Sequence, residues 1–63
     1  MYMEIDYERL RRDLIDYFGT AMTFYPMAVI ELTEVENASN SRLEQIAIQN
    51  GFNLNDYTNQ KSR

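Results

Sequence analysis

Pro26-Met27-Ala28-Val29-Ile30-Glu31-Leu32 is the most apolar run of the chain and lies near its middle. How it folds decides the architecture. Apolar surface left in water costs about 25 cal/mol per Å², so flanking segments or a second copy of the chain must cover it. Pro26 suits the first position of a helix, where its missing N–H removes no bond. Ala28, Leu32 and Val35 then follow at i, i+4 and i+7 with Val29 beside them, and Glu31, Glu34 and Glu36 fall largely off that stripe. Val29, Ile30 and Thr33 also favour a strand. A lone strand has no mate elsewhere in this chain and would have to pair across a dimer. The pattern predicts a helix over residues 26–36, with the cross-dimer strand as the alternative.

Upstream, Ile5-Asp6-Tyr7-Glu8 reads as a helix start. Asp6 caps, Glu8 complements the dipole, and Ile5 reaches Leu10 as a hydrophobic staple. Tyr7, Leu10, Leu14, Tyr17, Phe18 and Ala21 recur at helical spacing. Glu8–Arg12, Arg9–Asp13 and Arg12–Asp16 form opposite-charge i,i+4 pairs on the other side. Gly19 is the natural residue to end this helix, which is expected over 6–18. Residues 19–25 are read as a compact connection, with room for an extra turn after Gly19, because Pro26 disfavours helix at Tyr25. Phe24 and Tyr25 are expected to turn inward and plug the open end of the bundle, or else to form a partner surface with Tyr2 and Met3.

Downstream, Asn37-Ala38-Ser39-Asn40-Ser41 is a loop by composition. Ser39 or Ser41 caps the next helix, and Ser41-Arg42-Leu43-Glu44 has the form of a capping box. Leu43, Ile46, Ala47 and Asn50 mark its buried face. Gly51 closes it in a left-handed conformation, with Phe52 folding back on Ile46 or Ala47. Asn53 caps one further turn, Leu54–Tyr57. Residues 58–63 are polar and read as a frayed tail after a single domain, 1–57.

The whole chain has 63 residues, too few to bury a large core, and chains of this size usually lean on disulfides, a metal or oligomerisation. It contains neither Cys nor His. That excludes disulfides and the usual zinc and haem ligands, and leaves oligomerisation, with a homodimer expected. Ile15 and Ile48, off the core stripes, and Met27 and Ile30, which widen the apolar face of the second helix, motivate that expectation. Net charge is −4, and residues 1–40 carry eight acids against three bases. An acidic surface of this kind repels phosphate and keeps a small protein soluble. No apolar run is long enough for a membrane span, and Met1-Tyr2-Met3-Glu4 lacks the basic flank of a signal peptide, so a cytoplasmic protein is expected.

Chemistry is sparsely signalled. Asp13/Asp16 and Glu31/Glu34 are carboxylate pairs at i,i+3, the pattern of a solvated helix face. A chain this short is also expected to have little room for a pocket of about 300 Å³ or more. No catalytic residue, cofactor, metal or small-molecule substrate is expected. Leu43 to Tyr57 resembles a helix-turn-helix, with Ala47 at the crossing and Gly51 in the turn. Its would-be reading segment offers Asn53, Asn55, Asp56, Thr58, Asn59 and Gln60, with Lys61 and Arg63 only at its end. So few bases make nucleic acid an unlikely partner.

Leu10-Arg-Arg-Asp-Leu14-Ile-Asp-Tyr17-Phe-Gly-Thr-Ala-Met22, Pro26-Met-Ala-Val-Ile-Glu-Leu32, Val35-Glu-Asn-Ala-Ser39, Leu43-Glu-Gln-Ile-Ala47 and Gly51-Phe-Asn-Leu54-Asn-Asp-Tyr57 together resemble a group of short uncharacterised bacterial proteins, mostly from Firmicute genomes. The resemblance implies no activity, cofactor or site.

The expected fold is all-α: a small three-helix bundle with a short C-terminal fourth turn. Its core should hold Leu10, Leu14, Phe18, Ala28, Val29, Leu32, Val35, Leu43, Ile46, Ala47 and Leu54. The expected function is a non-enzymatic protein-interaction module acting on a protein partner or on itself. The alternative is a helix-turn-helix-like nucleic-acid-binding protein using residues 43–63.

Overall fold

Three α-helices and a closing 3₁₀ turn make up the fold, which the computed structural model describes over residues 4–58. They are α1 (Tyr7–Ala21), α2 (Ala28–Asn37), α3 (Asn40–Gln49) and the turn Leu54–Tyr57. The fold is all-α. Among the described residues the sole β interaction is an antiparallel bridge between Ile5 and Thr58. The central stretch is thus helical, and α1 packs against both α2 and α3.

α1 starts as its capping residues dictate. The Asp6 carboxylate accepts from the Arg9 backbone N–H at 3.1 Å, and Ile5 packs against the core. The helix does not stop at Gly19. It runs on to Ala21, with the Met22 N–H donating to the Phe18 carbonyl at 2.9 Å. Gly51 is the glycine with positive φ among the described residues, so Gly19 is an ordinary helical residue. A mid-helix glycine costs about 1 kcal/mol relative to alanine. Continued hydrogen bonding and the half-buried Ala21 and Met22 outweigh that cost. Pro26, not Gly19, is what stops the helical path.

α2 begins at Ala28, two residues later than expected, because Pro26 and Met27 belong to the turn. No basic residue lies in its last turn. Arg11 of α1 supplies the missing positive charge: its Nη1 donates to the carbonyls of Val35 at 2.7 Å and Glu36 at 3.4 Å. Carbonyls at a helix C-terminus have no partner within the helix and carry partial negative charge.

The expected loop over 37–41 shrinks to Ala38-Ser39. The Ser39 hydroxyl accepts from the Arg42 N–H at 3.3 Å, so α3 starts before Ser41 and the Ser41–Glu44 capping box does not form. Glu44 instead accepts from the Tyr7 hydroxyl, which ties α3 to α1. α3 ends in a Schellman motif. Gly51 has φ 83°, the Phe52 N–H donates to the Ala47 carbonyl at 2.8 Å, and the Gly51 N–H to the Ile48 carbonyl at 3.1 Å. Asn53 then caps the 3₁₀ turn by accepting from the Asn55 N–H at 3.0 Å.

The core consists of Leu10, Leu14, Phe18, Ala28, Val35, Leu43, Ile46, Ala47 and Tyr57. Leu32, Leu54 and Ile15 are half-buried and pack against it. Val29 does not belong: it is 44 % exposed, because it sits about 100° around α2 from the buried Ala28. Tyr17 likewise falls off the buried stripe at 45 % exposure, although its ring meets Phe18 and Phe52 edge-on. The i,i+4 charge pairs expected along α1 do not form. Among the described residues the ion pair is Arg42–Glu34 at 2.6 Å, between α3 and α2. Thr58 is half-buried in its bridge to Ile5, and residues 59–63 of the expected tail lie outside the described residues.

Candidate functional site

The connection between α1 and α2 is built from backbone turns. The Tyr25 N–H donates to the Ala21 carbonyl at 2.7 Å, and the Ala28 N–H to the Tyr25 carbonyl at 2.8 Å. Two successive reversals leave no length for the intervening side chains to swing inward. Phe24 and Tyr25 are 74 % and 70 % exposed, contrary to the expectation that they turn onto the core. The last fully packed residue of α1 is Phe18, and three further residues at 1.5 Å each carry the helix end past the core before the turn begins.

Met27 and Ile30 continue this surface at 70 % and 58 % exposure. Ile30 lies about 160° around the helix from Ala28, so burying Ala28 and Val35 forces it outward. From Tyr17 to Ile30 no residue carries a charge. Phe24, Tyr25, Met27 and Ile30 thus form an uncharged apolar surface at one end of the α1–α2 hairpin. Of the residues singled out from sequence, Phe24 and Tyr25 lie in it, and Tyr2 and Met3 lie outside the described residues. Met27 and Ile30 were legible only as extra apolar width. What marks them is that α2 opens on three apolar residues, Ala28, Val29 and Ile30, before Glu31. Ile48, 60 % exposed, lies on α3.

A second feature is a wide-mouthed groove of about 550 Å³ lined by Asp13, Asp16, Tyr17, Thr20, Ala21 and Phe52. It is larger than the chain length suggests, because the Schellman ending of α3 places Phe52 against Tyr17 and leaves a trough beside α1. Asp13, at its edge, accepts from the Tyr57 hydroxyl at 2.6 Å. That bond, then burial, then the Asp13 charge push the Tyr57 phenol up to about 12, while the Arg9 guanidinium over its ring pulls the other way. One of the two groove carboxylates is therefore engaged in holding the fold.

Among the described residues no group of three acids is placed to hold a metal ion. No helix among them is long and apolar enough to cross a membrane. The chain matches no family model, no curated protein and no solved structure.

Proposed function

We propose that this chain is a small, non-enzymatic protein-interaction module of the cytoplasm, which presents the apolar and aromatic surface of its α1–α2 turn to a protein partner, itself or another. The observation that supports this reading is the exposure of Phe24, Tyr25, Met27 and Ile30 together on one uncharged surface. Scattered exposed apolar residues need no explanation, but a cluster of aromatics and Met does, because such clusters mark places where proteins meet. Packing of the bundle accounts for Leu10, Leu14, Val35 and Leu43 and gives these four no role.

Catalysis has less support. His and Cys, the commonest acid–base and nucleophilic groups at neutral pH, do not occur in the chain, and Asp13 is already tied to Tyr57. The helix-turn-helix alternative needs a reading helix after Gly51. The described residues there form one 3₁₀ turn, and its Tyr57 is buried against α1.

The test is a capture experiment from the native host with the wild-type chain and a Phe24→Ala/Tyr25→Ala variant as baits. The variant should melt within a few degrees of wild type, since both side chains are mostly exposed. It should lose the partner that wild type retains. A variant that unfolds while still associating would make the two aromatics core plugs and end this reading.

A further inference from the structure

We infer that the occupant of the α1–α2 surface is a second copy of this chain, docked two-fold symmetrically through Met27 and Ile30 with Phe24 and Tyr25 around them. The inference rests on the interaction-module reading and goes further by naming the partner.

Ala28 and Val35 face the bundle and are buried, while Met27 and Ile30 face away and are exposed. The start of α2 thus has apolar side chains both toward the bundle and away from it, with Glu31 beside them. One side is covered by α1, and the other is uncovered in the single chain.

Charge narrows what can cover it. Its four side chains carry no charge, and no base stands between Arg12 and Arg42 in the sequence to attract an acidic partner. Its complement is another uncharged apolar surface, and the chain itself supplies one. Two copies, each of net charge −4, meet there through uncharged side chains, with Glu31, one helical turn from Met27, at the rim of the contact.

The area also suits a pair of copies. A large side chain presents about 150–250 Å² when fully exposed, so these four at their observed exposures offer on the order of 500 Å² per copy. A symmetric pairing that covers all four completely withdraws about 1,000 Å² from water, the floor for a specific interface. A two-fold pairing uses the same patch twice and needs no second complementary surface. A short chain without disulfides also gains more from such covering than a large one does.

Sedimentation of the full chain across about 5 to 500 µM tests this directly. Wild type should pass from monomer to dimer within that range. Ile30→Asp should keep its helical circular dichroism and weaken self-association by at least about tenfold, since it desolvates a charge at the centre of the contact. Ile48→Asp, on α3, should associate like wild type. Should Ile30→Asp lose helicity, Met27→Lys makes the same comparison from the neighbouring position. Raising salt should tighten association, because it screens repulsion between two acidic copies. A wild-type chain that stays monomeric throughout, a dimer insensitive to both substitutions, a dimer broken by Ile48→Asp, or one that salt weakens would each overturn the inference. A monomeric wild type that still loses a captured partner on Phe24→Ala/Tyr25→Ala would end the second-copy assignment alone and leave the interaction-module reading standing.

Discussion

The Tyr57 hydroxyl donates a 2.6 Å hydrogen bond to the Asp13 carboxylate across 44 positions of sequence, and this bond locks the C-terminal turn onto α1. It acts with two neighbours. The Asp6 N–H donates to the Tyr57 carbonyl at 2.6 Å, and the Arg9 guanidinium lies over the Tyr57 ring while donating to the Asp56 carbonyl. Both chain ends of the described fold are thereby fastened at the start of α1.

The Tyr57–Asp13 bond makes stability fall at high pH. The phenol stands at about 12 in the fold, against an ordinary value of 10.0. The native state therefore holds a proton that the unfolded chain releases between these values. Stability is at its full value below pH 10 and falls as pH rises from 10 to about 12. Urea unfolding at stepped pH measures it. Tyr57→Phe should lose this contribution to the pH dependence and, at neutral pH, about 1–2 kcal/mol with the hydrogen bond to a charged group.

The two glycines should respond to alanine with opposite signs. Gly51 has φ 83°, and a Cβ there meets nothing within 4 Å, so the penalty is backbone strain alone, about 1 kcal/mol. A Cβ on Gly19 also meets nothing, and its backbone is helical, so Gly19→Ala should stabilise by about 0.5–1 kcal/mol. Thermal melts of the two variants decide it.

Two valines on one helix should also separate. Val35 is fully buried, and Val35→Ala should cost about 2 kcal/mol or more. Val29 is 44 % exposed, and Val29→Ala should stay within about 0.5 kcal/mol. Equal costs in chemical denaturation would place Val29 in the core after all.

Arg11 and Arg12 are adjacent, yet only Arg11 reaches the end of α2. Arg11→Ala should cost about 1–2 kcal/mol, through lost charge-assisted bonds to the last carbonyls of α2, of which Val35 keeps only the 3.3 Å bond from the Ala38 N–H. Arg12→Ala, at an exposed site, should be nearly neutral. Hydrogen exchange at the last turn of α2 should rise in the first variant and not in the second.

Much of the fold was legible without coordinates because its signals are local. Asp6, Gly51 and Asn53 cap where their side chains or missing Cβ allow, and the Phe52 N–H follows to close the Schellman motif on the Ala47 carbonyl. Leu10, Leu14, Phe18, Leu43, Ile46 and Ala47 are buried where helical periodicity puts them. Burial on a helix face follows from spacing alone, whatever the face meets. Of the candidate surface, the sequence marked Phe24 and Tyr25 as residues to explain, but not which way they point.

The tertiary structure decided what depends on distant partners. Gly19 permits a helix end but does not impose one, and only the supported continuation through Ala21 shows that the helix carries on. Glu44 was free to cap its own helix or to meet Tyr7, and the packing of α3 on α1 chose Tyr7. Arg11 became a cap for α2 because the hairpin brings their ends together. Sequence spacing thus determined which faces turn inward, since a helix's geometry is internal to it. The outward turn of Phe24, Tyr25, Met27 and Ile30 was decided by where the core stops, and that position exists only once three helices share it.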